Sequence, residues 1–164
     1  MSVTIRRAEP EDLDAIRRFA EEVVPAHYTP ILGEVAAHAQ LDWWTDERMR
    51  PAVEAGRVHV AVADDAIVGV VQTGPWEDTY VVWKLYLSPA FRGRSLGRQL
   101  LNAAIEPLRE ETDHVFVEHF AGNTGAAAFY ERLGWKVERT VPARSGDPNA
   151  AVVWRRYTFD RETS

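Results

Sequence analysis

SPAFRGRSLGRQLL, residues 88–101, joins two different patterns. Before it runs the apolar stretch Val81–Leu87, which reads as a strand. After it Leu96, Leu100, Leu101, Ala104, Ile105 and Leu108 recur at helical spacing. The loop between them holds Arg92, Gly93, Arg94, Ser95 and Gly97. Glycine lets backbone turn tightly and approach a ligand without a Cβ in the way. The first N–H groups of a helix lack internal partners, and the helix dipole places partial positive charge there. Two arginines add to that field. Strand, basic glycine loop and helix start together predict a phosphate site. A Walker A loop would need Gly-Lys-Ser/Thr, which is absent. A dinucleotide fingerprint would need three glycines, and only Gly93 and Gly97 are present.

The third form of this loop is R-x-x-G-x-G, and Arg92–Gly97 resembles it, with Ser95 where the first glycine usually stands. A second segment, NTGAAAFYERLGW at 123–135, follows about 30 residues later, roughly one strand–helix unit. Its Asn123, Ala126, Tyr130, Leu133, Gly134 and Trp135 match the spacing found downstream of that loop in the GNAT superfamily of acyl-CoA N-acyltransferases. The resemblance covers most of the chain, since Val3–Ala8 is similar to the family's first strand and Pro10–Val24 to its first helix. It implies one α/β domain over 1–164. The expected fold is a single mixed, mostly antiparallel sheet with helices on both faces, ordered β-α-α-β-β-β-α-β-α-β-β.

It also implies acetyl-CoA as co-substrate. The pyrophosphate would lie on the backbone N–H groups of Arg92, Gly93, Arg94, Ser95, Leu96 and Gly97. The pantetheine arm would pair with Leu85, Tyr86 and Leu87 like an added strand, and Asn123 and Tyr130 would border the cofactor. The acceptor would be an amine on a small molecule or peptide, contacted by the early helices and adjoining loops.

Composition agrees with a globular domain. The chain has 164 residues, 46% hydrophobic and 27% charged, enough for a real core. It contains no cysteine, so disulfides, thiol nucleophiles and thiolate metal sites are excluded. A net charge of −6 disfavours nucleic acid and suits, weakly, a cationic amine. No signal peptide or long apolar run is present, so no membrane role is expected and a cytoplasmic home is. Monomer and homodimer remain open.

Along the chain, Val3–Arg7 reads as a strand and Pro10–Val24 as a helix begun by proline. Pro25–Gly33 reads as a break carrying His27, Tyr28 and Pro30. Glu34–Ala55 is helical in tendency, with a break expected at Pro51. Arg57–Ala63 and Ala66–Gly74 form a hairpin about Asp64-Asp65, and Thr79–Leu87 is the next strand. The helix after the glycine loop should end or kink at Pro107. His114–Phe120 is a strand, Thr124–Leu133 a helix, and Trp135–Val141 with Ala151–Phe159 a final pair.

Acyl transfer from a thioester requires the amine to lose a proton and the thiolate to gain one. The resemblance points to Tyr130 as the proton donor, because the family's tyrosine there lies near the thioester sulfur. Glu118, five residues before Asn123, matches the base of ribosomal-protein alanine N-acetyltransferases. Burial would raise its pKa toward a useful range. His119 is a rival base, and strand alternation sends the two side chains to opposite faces. Glu77 and Asp78 are third choices. A structural role for Glu118 is equally open. The other histidines, His27, His38, His59 and His114, show no ligand spacing, so no metal is predicted. Trp43, Trp44, Trp76, Tyr80 and Trp83 are expected mostly in the core, with one or two lining the acceptor pocket.

Two other functions compete. Gly93–Gly97 also matches G-x-S-x-G, a serine-hydrolase elbow, with Asp113 and then His114 or His119 in the right order. The chain is short for that fold, Ser88–Arg92 separates the elbow from its strand, and the Asn123–Tyr130 pattern would go unexplained. The remaining alternative is an acetyl-CoA-binding fold that transfers nothing, a sensor or structural subunit.

Overall fold

The computed structural model describes residues 2–160. Seven strands form one sheet: β1 Thr4–Arg7, β2 Val58–Ala63, β3 Ala66–Trp76, β4 Thr79–Leu87, β5 His114–Phe120, β6 Lys136–Val141 and β7 Val152–Thr158. Their order in space is β1-β2-β3-β4-β5-β7-β6, and only β4 and β5 are parallel. The five helices are α1 Leu13–Leu32, α2 Glu34–Ala39, α3 Asp46–Glu54, α4 Leu96–Ile105 and α5 Thr124–Arg132. The mixed, mostly antiparallel sheet expected above is present.

Alternation along the strands divides the core in two. Val58, Val60 and Val70 face α1 and α3, joined by Ile16, Phe19, Val24 and Met49. Ala61, Val71, Val82 and Val117 face the other way, against Leu100, Leu101, Ile105 and Trp135. Because both faces are covered, central strands read as apolar runs rather than alternating ones. β6 is the exception, an edge strand exposed along its whole length.

Three proline readings meet the structure differently. α1 does not stop at Val24 but continues through Pro25 and Pro30 to Gly33. Each proline removes one helical donor, yet the apolar stripe persists through Val23, Val24 and Tyr28, all buried. Thr29 Oγ1 donates to the Pro25 carbonyl at 2.6 Å, a bond that bends such helices. Packing of the stripe outweighs the lost donors. The Glu34–Ala55 segment breaks at Thr45, not Pro51. After α2 and a 3-10 turn over Gln40–Trp44, Thr45 turns extended and its Oγ1 accepts the Arg48 N–H, capping α3. α4 ends at Ile105, and a 3-10 turn carries Pro107, as expected.

Candidate active site

The site begins as a defect in the sheet. β4 pairs with β3 through Gln72↔Lys84 and Thr73↔Val82, which leaves Trp83 extra, a β-bulge. On its other side β4 pairs with β5 only at Val81↔Phe116 and Val82↔Val117. Past the bulge the two parallel strands separate, while β5 stays paired with β7 along its full length. Strand edges that diverge leave backbone donors and acceptors without ladder partners. Two cavities open along this split, of about 690 and 620 Å³. They share Leu85, Tyr86, Asn123, Ala126 and Tyr130.

The first cavity is bounded by the start of α4. Arg92 is extended, Gly93 has φ +79°, and Ser95 is the α4 N-cap with φ +62°. Ser95 thus keeps the left-handed conformation that glycine adopts without cost. At Gly97 a Cβ would make ordinary contact with Phe129 and Leu87 at 3.4–3.5 Å, which places α4 against α5 and β4 there. Arg92, Gly93, Ser95 and Gly97 line this cavity with Leu85, Tyr86 and Leu87. Arg94 instead lies over the Phe91 ring, 5.2 Å from its centroid, and the Leu96 side chain is buried in the core. Sequence reasoning missed His27, Arg98 and Arg132, which also line it. Arg98 sits one turn into an amphipathic helix, where nothing local separates it from a solvated arginine. Burial, then the Arg92 charge, holds the His27 imidazole below its ordinary pKa.

Asn123 caps α5, its side chain accepting the Ala126 N–H at 3.2 Å. One helical face later Tyr130 is buried, with only 4% of its surface exposed, at the junction of both cavities. Burial pushes its phenol well above the usual range, so it is protonated. The His119 ring stacks on it, 6.2 Å between centroids and 8° between planes.

Glu118 lines the second cavity, and burial raises its carboxyl above the ordinary carboxylate range. His119 borders it too, but alternation holds along β5, with Val115 and Val117 on the face that packs against Tyr130, and Phe120 on the other. The bonding of His119 separates it further from Glu118. Arg155 Nε donates to His119 Nε2 at 3.0 Å, and His119 Nδ1 lies 2.9 Å from the Phe120 carbonyl. A guanidinium can only donate, so Nε2 is the acceptor and Nδ1 carries the proton. Both nitrogens are engaged, which leaves His119 no lone pair for a substrate. Arg155 also donates to Glu131 at 2.7 Å and to the Trp135 carbonyl at 3.0 Å, tying β7 to α5. Glu77 and Asp78 lie in the β3–β4 turn, away from both cavities.

The second cavity also holds Tyr28, Gln40, Trp43, Trp44, Arg48, Gln72, Trp83 and Lys84. Tyr28 and Tyr86 share a hydroxyl–hydroxyl bond of 2.7 Å. Burial, reinforced by the nearby Arg48 charge, lowers Lys84 from about 10.5 to about 8. Of the aromatics named from sequence, Trp43, Trp44 and Trp83 line this cavity, and Trp43 is half exposed rather than core. Trp76 packs on Trp83 and Trp154, and Tyr80 bonds Glu111. Among the described residues lining this cavity, Glu118 is the one carboxylate, beside the cations Lys84 and Arg48. The serine-hydrolase reading fails. His119 is fully engaged, and His114 meets the Phe116 ring edge-on at the far end of β5, so neither serves Ser95 as a base. Among the described residues no cluster of His, Asp and Glu could hold a metal ion, and no helix is long and apolar enough to cross a membrane.

A profile of the acetyltransferase (GNAT) family matches residues 16–135. The chain belongs to that family. Membership makes it an acetyl-CoA-dependent N-acetyltransferase. It is 30% identical over 152 residues to the L-methionine sulfoximine/L-methionine sulfone acetyltransferase of Pseudomonas aeruginosa, covering 87% of this chain and 85% of that one. Among solved structures, it is similar to the PaiA N-acetyltransferase of Thermoplasma acidophilum in complex with coenzyme A. There the TM-score is 0.80 at 21% identity, over 96% of this chain and 100% of that one. The ribosomal-protein-S18-alanine N-acetyltransferase of Escherichia coli gives a TM-score of 0.72 at 17% identity, over 99% and 97% of the two chains.

Proposed function

We propose that this GNAT enzyme moves the acetyl group directly from acetyl-CoA to a primary amine while both are bound. The observation that carries this is the meeting of the two cavities at Tyr130, with Glu118 on one side and the α4 start on the other. Acetyl-CoA supplies an activated thioester. The N–H groups from Arg92 to Gly97 hold its pyrophosphate, with Arg92 and Arg98 adding charge. The divergent edge of Leu85–Leu87 offers backbone groups to its extended arm.

An alkyl amine has a pKa of about 10.4 and arrives protonated at neutral pH. Glu118, kept less acidic by burial, takes that proton directly or through one water. Tyr130, kept protonated by burial, donates to the departing thiolate. The Arg155–His119 pair holds its ring in place from behind. Without a cysteine the chain has no thiol to carry the acetyl group between half-reactions.

Free CoA release with a panel of amines, L-methionine sulfone first because a relative is named for it, tests the activity. Double-reciprocal lines that intersect support the ternary complex; parallel lines, or an isolable acetyl-enzyme, contradict it.

A further inference from the structure

The acceptor cavity carries a charge demand that the chain itself does not meet. Lys84 is 8% exposed and donates to Gln72 Oε1 at 2.9 Å. Its ammonium lies 5.1 Å from the centroid of the Trp44 ring. Among the described residues no carboxylate comes within salt-bridge distance of it. The charge that acts on it is a like one, Arg48, whose guanidinium lies over Trp43 at 4.6 Å on the same cavity wall. A buried cation beside a second cation, with no anion, is costly unless a ligand brings the anion.

We propose that the acceptor is an amino acid, an amine that also bears a carboxylate, and that Lys84 and Arg48 hold this carboxylate while the amine faces Glu118. This rests on the acetyl-transfer reading above. Three further observations support it. Glu118, which the proton transfer needs, belongs to the same cavity but forms no ion pair with Lys84, so the cavity has a cationic part and an acidic part. A zwitterionic acceptor is complementary to both. Lysine can only donate, so Gln72 presents its oxygen to Lys84 and leaves its amide N–H groups for an anion. Trp43, Trp44 and Trp83 give the acceptor's side chain an apolar wall. Polyamines and lysine side chains meet two repelling charges here instead.

The experiment compares L-leucine, L-phenylalanine, L-methionine and L-glutamine, each against its own carboxamide, with β-alanine and spermidine as further arms. The readouts are CoA release and calorimetric binding to the CoA-loaded protein. The carboxamide's amine is the less basic one and so easier to deprotonate, which biases the assay against the proposal. Free amino acids are expected to exceed their carboxamides about 100-fold in kcat/KM, because a site built around a polar group rejects the analogue lacking it. In Lys84→Met that ratio should collapse toward one, and in Arg48→Gln fall partway. Unchanged CoA affinity of the variants shows that the fold is intact. Carboxamides or spermidine turned over as well as amino acids would overturn the proposal and leave the acetyltransferase activity standing. So would full discrimination in Lys84→Met. Should no amine be turned over, the activity reading fails. Calorimetry then decides separately: amino-acid binding that Lys84→Met abolishes upholds the carboxylate site, and no binding refutes it.

Discussion

The two cavities share Tyr130 but are built from different materials. The cavity at the α4 start is bounded mainly by two short runs of backbone, Leu85–Leu87 and Arg92–Gly97. The acceptor side is made of side chains from α1, the Gln40–Trp44 turn, α3, β3, β4 and β5. A pyrophosphate can be held by N–H groups that every residue owns, so that side tolerates sequence change. Ser95, where the family's glycine usually stands, keeps the left-handed backbone at φ +62°. The acceptor side depends on particular charges in particular burial, Lys84 and Glu118, and each is held at a cost in solvation. Function on that side should therefore be more sensitive to single substitutions, and stability should often improve when they are made.

The largest break in that contrast should come from Tyr130→Phe, which keeps the ring and removes the donor. A loss of about 10²-fold in kcat with little change in CoA affinity is expected. Glu118→Gln should lose most between the raised Glu118 pKa and the amine's own pKa of about 10.4, where the wild-type carboxylate is ionised and the amine still carries its proton. The wild-type rate falls as pH drops through the raised Glu118 pKa, and the variant should lack that limb. A full rate in Tyr130→Phe, or a wild-type pH profile in Glu118→Gln, would remove those assignments.

Next in size is a gain. Lys84 titrates near 8 in the folded chain and near 10.4 when free. Between those values the unfolded chain holds a proton that the folded one lacks, so stability rises with pH across that window. Below pH 8 the whole burial penalty applies. Lys84→Met should be more stable than wild type at pH 7 by on the order of 2 kcal/mol, with the gap closing by pH 10.5. Urea denaturation at the two pH values reads it. Parallel behaviour of the two proteins would mean that Lys84 is not desolvated.

On the cofactor side effects should be smaller. Arg92→Glu with Arg98→Glu should weaken CoA binding about tenfold, more at low salt, because the backbone donors remain. Calorimetry showing unchanged affinity would count against the placement of the pyrophosphate. Smallest of all, Ser95→Gly relieves a left-handed serine and should add about 0.5 kcal/mol to stability, the gain being trimmed by the freer unfolded chain. A loss instead would show that the Ser95 side chain has a role of its own.

How much was legible follows from the same contrast. The phosphate loop, Asn123 and Tyr130 are local patterns, and the structure brings them to one cavity, with Ser95 opening α4 and Asn123 capping α5. Lys84 carries a local signal, a lone cation within the apolar run VVWKLYL. Arg48 and Gln72 carried none, because what brings them to Lys84 is the packing of α3 on the sheet and the β3–β4 register. At the prolines of α1 the opposite holds: a strong local rule yields to a buried stripe that reaches Tyr28.

The sequence by itself determined the family and the mixed, mostly antiparallel sheet, since these rest on local motifs and strand patterns, whereas the two helices expected before the second strand became three, α1, α2 and α3. Tertiary structure alone decided that β4 and β5 part at the Trp83 bulge, that His119 is occupied by Arg155, and that Lys84 is buried beside Arg48 without an anion. These depend on desolvation and on contacts between distant segments. Neither exists until the chain has closed on itself.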